Sequence, residues 1–474
     1  MRSVGCIQTH LTTEISLTFF QGLYTLQEML HSVLCLLLAV ACQLFYHEGP
    51  AFSAPGGWDA TYGGFDYDRA NSIHETRDGG YIVAGETRSF SVGRIDIWVL
   101  KLRPDGTVEW QKTYGGFDRE SAESVQQASD GGYIVAGYTG SFGTGKGDVW
   151  ILKLRADGMV EWQKTYGGAN GDVAESVCKT RDGGYIVAGW TRSFGAGEED
   201  VWVLKLRPDG TVEWQKTYGG GGSDEGYSIQ QTSDGGHIVA GETRSFGAGE
   251  EDVWVLKLRP DGTVEWQKTY GGVNVDEVRS IRQTNDSGYV VAGGTRSFGT
   301  KAFDVWVLKL RADGTVEWQK TYGGINVDVS KSVQQTRDGG YIIAGYTMSF
   351  SIGEADIWVL KLRADGTIEW QKTYGGVEDD RANSVQQISD GGYIVAGNTG
   401  SFSAGSHDIW VLKLSPDGSI DPSCEFMRDT GTLGINSNAT MLDTTASVAD
   451  SNANPQDSSA IISATDITTH ILCP

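Results

Sequence analysis

The chain has 474 residues, a formal net charge of −23 and 66 glycines, about twice the ~7% glycine share of ordinary proteins. An acidic excess of that size, without clustered Lys or Arg, argues against a phosphate-backbone partner, so no nucleic-acid ligand is expected. The six cysteines show no CxxC or Cys/His spacing, and neither a metal nor a cofactor is expected.

Residues 1–53 read as a leader. Val33–Phe45, VLCLLLAVACQLF, is too short for a membrane span and suits the apolar stretch of a signal peptide. Ala51 and Ser53 supply the small residues before a cleavage point. Two other readings stay open, lipid attachment at Cys42 and a retained apolar anchor, and a start at Met29 would shorten the leader. Each exports the chain, so a secreted or cell-surface protein is expected, with no membrane span once the leader is removed.

Residues 54–422 are organised by a repeat. Trp58, Trp110, Trp162, Trp214, Trp266, Trp318 and Trp370 recur every 52 residues with no insertion or deletion, and a repeat of that length is one supersecondary unit that buries its core against its neighbours. In the first unit Ser72–Thr76 and Tyr81–Thr87 flank Asp78-Gly79-Gly80, a hairpin signal of type I′. A second hairpin joins DIWVLKLR to TVEWQKTY around Pro104-Asp105-Gly106. Counting back across that turn pairs Lys101 with Glu109, Leu100 with Trp110 and Trp98 with Lys112. WVLKL is apolar on both faces, as a strand sandwiched between sheets requires.

The expected fold is therefore an all-β, seven-bladed β-propeller of four-stranded antiparallel blades. Seven inner sets begin at Ser72, Ser124, Ser176, Ser228, Ser280, Ser332 and Ser384, while the strand from Trp58 to Gly64 precedes them all. That N-terminal strand is expected to close the ring as the outermost strand of the last blade, where Pro422 replaces the usual Trp. Gly57 holds the position of Glu109, so Lys413 should lack the carboxylate available to Lys101. The DGGYIVAG and DIWVLKL motifs resemble those of secreted bacterial and archaeal β-propeller repeat proteins over residues 58 to 420. The LRPDGTVEW turn is distantly similar to the tryptophan-docking hairpin of quinoprotein propellers, although no quinone-binding set accompanies it.

The Asp-Gly turns form one face and the connections after YGG and after TxSF form the other. Variation collects on that loop face, at Glu86, Tyr138, Trp190, Glu242, Gly294, Tyr346 and Asn398, and two residues later at Arg88, Arg192, Arg244 and Arg296. Aromatics, carboxylates and arginines around a propeller mouth suit a glycan or protein ligand, and drift at solvated strand ends is the plainer alternative. Aspartates recurring in the loops, such as Asp68, Asp172 and Asp276, match no calcium loop and read as turn caps. GSFGTGK at 140–146 lacks the Ser/Thr of a phosphate loop, and His74, His237 and His407 sit in different units with no nucleophile elbow. No catalytic residue is assigned. The adjacent pairs Glu198–Glu199 and Glu250–Glu251 read as solvated charge, being poorly placed to bracket a glycosidic bond.

Residues 423–474 change to Ser, Thr, Asn and Asp, a composition that suits a flexible or marginally β-forming tail. Cys424 and Cys473 bracket it and form a disulfide only if their geometry allows. The expectation is an exported, monomeric, non-catalytic binding or interaction module. The alternative is a carbohydrate-active hydrolase or lyase with carboxylates at the mouth.

Overall fold

The computed structural model describes residues 57–300 and 302–420, together with seven short strands between Met427 and Cys473. The leader, with Cys42, and Cys424 lie outside the described residues. All regular elements described are strands. After β1 (Trp58–Gly63), the first blade comprises β2 (Asp68–Glu75), β3 (Tyr81–Thr87), β4 (Asp96–Leu102) and β5 (Val108–Gly115), antiparallel in that order. Six further sheets repeat the plan, which makes a seven-bladed propeller. Ring closure follows the expected route, because β1 pairs antiparallel with Asp408–Leu414 in the last blade, Tyr62 opposite Ile409 and Trp58 opposite Lys413.

Burial follows the two-sided hydrophobicity of the third strand. Every residue of DIWVLKL in β4 is buried, whereas β5 is half exposed along VEWQK and buried only at TYG. The core therefore lies between blades. Ile82, Ala84, Ile97 and Val99 of the first blade pack on Val125, Tyr133, Val135 and Trp150 of the second, and equivalent clusters recur around the ring.

The outer hairpin is locked to the preceding blade. Trp110 donates from Nε1 to Ala156 O at 3.0 Å and meets Tyr133 edge to face at 5.9 Å, while Tyr114 donates its hydroxyl to Gly158 O at 2.6 Å. Gly158 has φ +77, and a Cβ there would sit 2.9 Å from the Trp110 ring. Glycine is thus required both for the left-handed turn and for the indole to lie against the backbone.

Two local expectations are corrected. The second hairpin is shifted by one residue, Lys101 facing Trp110, Leu100 facing Gln111 and Trp98 facing Thr113, because a bulge between Lys101 and Leu102 leaves Glu109 extra. The displaced Glu109 still reaches Lys101 at 3.5 Å. The first hairpin is not type I′: Thr76 N bonds Gly80 O, Gly79 N bonds Thr76 O, and only Gly79 has positive φ. A type I turn closed by a left-handed glycine satisfies the strands equally well.

Lys101 is buried and bonds Asp78 at 3.0 Å and Leu102 O at 3.1 Å. Burial opposes ionisation of Asp78, but hydrogen bonds from Thr76 and Lys101 outweigh it and hold the carboxyl at about 2. Lys413 keeps only the equivalent of the first partner, Asp390 at 2.9 Å, and its side chain is 21% exposed against 3% for Lys101. The Gly57 mismatch accounts for that difference.

Candidate functional site

Each inner strand carries a bulge that aims one side chain into the central channel. In β2, Ala70 pairs with Gly85 and Ser72 with Ala84, so Asn71 is extra, and a bulge of this kind redirects its unpaired residue. The bulge presses Gly85 so close that a Cβ there would lie 1.9 Å from Arg69 O. The same position in successive blades holds Asn71, Glu123, Glu175, Tyr227, Arg279, Lys331 and Asn383, and all seven line one cavity of about 460 Å³ with Arg69, Trp190 and Glu225.

Charge divides across this mouth. Glu123, Glu175 and Glu225 stand on the second to fourth blades, and Arg279 and Lys331 on the fifth and sixth. Burial and the neighbouring Glu123 push the Glu175 carboxyl up to about 8. Burial and nearby Arg279 bring the Lys331 ammonium down to about 8. Arg279 ties Glu242 at 3.1 Å and Glu277 at 3.1 Å, and lies 4.3 Å over the Tyr227 ring. Near neutral pH the mouth thus holds a protonated carboxyl able to donate and a lysine able to release a proton.

A second cavity of about 410 Å³ opens beside the first, lined by Arg119, Ser121, Tyr138, Asn170, Val173 and Arg192, and shares Glu123 and Trp190 with it. Trp190 lines both cavities, so the indole links the two spaces.

The side chains singled out in the sequence fall into four groups. Tyr138, Trp190 and Arg192 line the second cavity. Glu86 and Glu242 are buried and already engaged, Glu86 by Arg69 at 3.5 Å and Arg119 at 3.2 Å, and Glu242 by Arg279; burial pushes Glu242 up to about 8 in spite of that arginine. Tyr346 lies under Arg381 at 4.4 Å, and Asn398 is buried. Of the arginines two residues on, Arg88, Arg244 and Arg296 are exposed and lie outside the lining of the second cavity. Arg88 covers Tyr67, Arg296 covers Phe303, and Arg244 pairs with Glu251 at 3.1 Å. Arg192 bonds Glu199 through Nε at 2.7 Å, which makes that glutamate and Glu251 ion-pair partners rather than solvated charge.

The bulge ring was not singled out in the sequence. Its signal is the residue directly before each invariant Ser, the most varied point of a strand whose frame repeats. The loop aspartates are latches, as expected of caps: Asp68 accepts from Thr87 Oγ1 at 2.5 Å, Ser89 Oγ at 2.7 Å and Gly64 N at 2.9 Å. Outside the mouth, Phe65, Phe117, Val273, Ile325 and Val377 occupy one repeated loop position and are strongly exposed. Ala169 and Gly221 take that position at the third and fourth blades.

The model of one family, described as a domain of unknown function (DUF5122) beta-propeller, matches residues 388–423. No curated protein matches the chain. Among solved structures, the chain is similar to the WD40 beta-propeller domain of Doa1, at 14% identity over 75% of this chain and 97% of that one, with a TM-score of 0.45. It is similar also to Sqt1 from Chaetomium thermophilum, at 9% identity over 75% and 98%, TM-score 0.43. Endo-1,5-alpha-L-arabinanase from Thermotoga petrophila RKU-1 matches at 12% identity over 74% and 99%, with a TM-score of 0.27.

Proposed function

We propose that this chain is an exported, monomeric, non-catalytic propeller scaffold that binds a glycan or protein ligand at its loop face. The observation that carries this reading is the bulge ring, seven side chains of five kinds projected into one mouth from a frame that otherwise repeats. A shared frame with varied tips suits recognition, because each blade contributes a different contact to one ligand. Trp190 and Tyr138 offer stacking surface, Glu123 and Asn71 offer hydrogen bonds, and the exposed apolar loop tips favour a macromolecule over a small solute. Glycan and peptide arrays probed with the purified protein test it. Binding confined to one ligand class and abolished by Trp190→Ala supports the reading, and no retention on either array argues against it.

A second reading, a carbohydrate-active hydrolase or lyase, is favoured by one observation. Glu175, near 8 and beside Glu123, is a protonated carboxyl next to a second carboxyl, the pairing that glycosidic cleavage uses. Turnover of a polysaccharide that disappears in Glu175→Gln would replace the binding reading with this one.

A further inference from the structure

A closed propeller still leaves each blade with an outer edge whose backbone groups invite another strand. In this molecule every such edge is paired. Met427–Asp429 adds to Ile368–Tyr374 of the sixth blade, and successive strands then step back through the fifth to the first blade. The last, Thr468–Cys473, adds to β1 in the seventh. The N-terminal strand that closes the ring therefore lies between the last blade's third strand and the end of the chain.

The sequence of the tail contains a period that matches this path. Asp429, Asn436, Asp443, Asp450 and Asp457 are seven residues apart, and each is followed by Ser or Thr. In register they stand opposite Lys372, Lys320, Lys268, Lys216 and Lys164, the lysines of the repeated WQKTYGG strand. Ala464 continues the period opposite Lys112, where the acidic partner is missing. The seventh point is Ile471, which faces Ala60. That is the one outer strand in which the lysine is itself replaced, so the apolar tail residue falls where the outer strand is apolar. Seven residues can span no more than about 25 Å, and within that reach each period carries the chain from one edge to that of the neighbouring blade.

We infer that residues 427–473 form a belt whose seven-residue period is a register code for this propeller's own outer edges, one period per blade, and that the belt clasps the closing strand β1. The surface it occupies is the ring of seven outer strand edges, and the occupant is the chain's own C-terminal segment. Cys424 and Cys473 stand just outside and at the end of it in sequence. This inference is independent of what the mouth binds.

Peptide-resolved hydrogen exchange on the full-length protein tests it, with two deletions compared. Deleting residues 444–450 removes one whole period and keeps the phase of the rest. The remaining tail strands should stay protected, and the edge of β1 alone should lose its cover. Deleting Thr445 alone breaks the phase, so amides from Ser447 onward should exchange at least about tenfold faster than in the intact chain. A tail that exchanges freely in the intact protein, or equal loss of protection in the two deletions, would overturn the belt. Protection found only in a dimer by native mass spectrometry would also overturn it, since the strands would then cover a second copy.

Discussion

At the scale of single residues, the repeat makes each exception informative. Ser287 is the only non-glycine residue with positive φ among those described, at +68, and it takes the place of the glycine that ends the same turn elsewhere. A side chain in that conformation costs about 1 to 2 kcal/mol, part of which glycine's greater freedom in the unfolded chain offsets. Ser287→Gly should therefore stabilise the fold by about 1 kcal/mol in denaturant unfolding, and a loss of stability would show that the serine makes a compensating contact. Titration offers a second check. Asp148 is raised by burial to about 7, and Glu175 and Glu242 by burial to about 8. All three folded-state values lie above the unfolded ones, so folded protein holds those protons more tightly and stability falls as pH rises through this range. His74 and His237, lowered by burial to about 4, act oppositely, but only below the unfolded histidine value of about 6.5. The melting temperature should therefore fall between about pH 6.5 and about pH 7.5, and a rise over that interval would contradict the assignment.

At the scale of elements, strands and turns were legible because 52-residue spacing without gaps aligns every Asp-Gly turn with every other. What stayed hidden was the bulges. The extra residue at Glu109 moves the outer hairpin by one position, and nothing in alternating hydrophobicity marks it. The bulge at Asn71 concealed the innermost ring of the mouth in the same way, since the residue before an invariant Ser reads as an ordinary outward position. Trp190, Tyr138 and Arg192 were found because variation there follows a fixed Ala-Gly pair. Gly85 shows what the bulge demands. A methyl group there would collide with Arg69 O and the Ala70 backbone, so Gly85→Ala should cost about 1 to 3 kcal/mol in denaturant unfolding. An unchanged midpoint would mean that the bulge relaxes freely.

At the scale of the whole molecule, the first and last segments of the propeller act on one another. The seven-bladed count and the closure by β1 could be read from the misplaced first WxxTYGG strand. The tail's path could not, because strands of two to six residues carry no hydrophobic alternation and its period lies in Asp and Asn positions. Deleting residues 54–64 removes the strand that pairs with Asp408–Leu414 on one side and Thr468–Cys473 on the other. The variant should melt lower and aggregate; unchanged melting and solubility would contradict the closure.

The proposed binding function rests on the mouth, and Trp190 is one of two residues that line both its cavities. The most direct measurement is the affinity of the intact protein and of Trp190→Ala for the strongest array ligand, taken with the melting temperature of both. Truncating a central aromatic anchor typically costs about 2 kcal/mol or more, so the account predicts at least about a tenfold loss of affinity with little change in melting. Equal affinity in the two proteins would place the ligand elsewhere and contradict it.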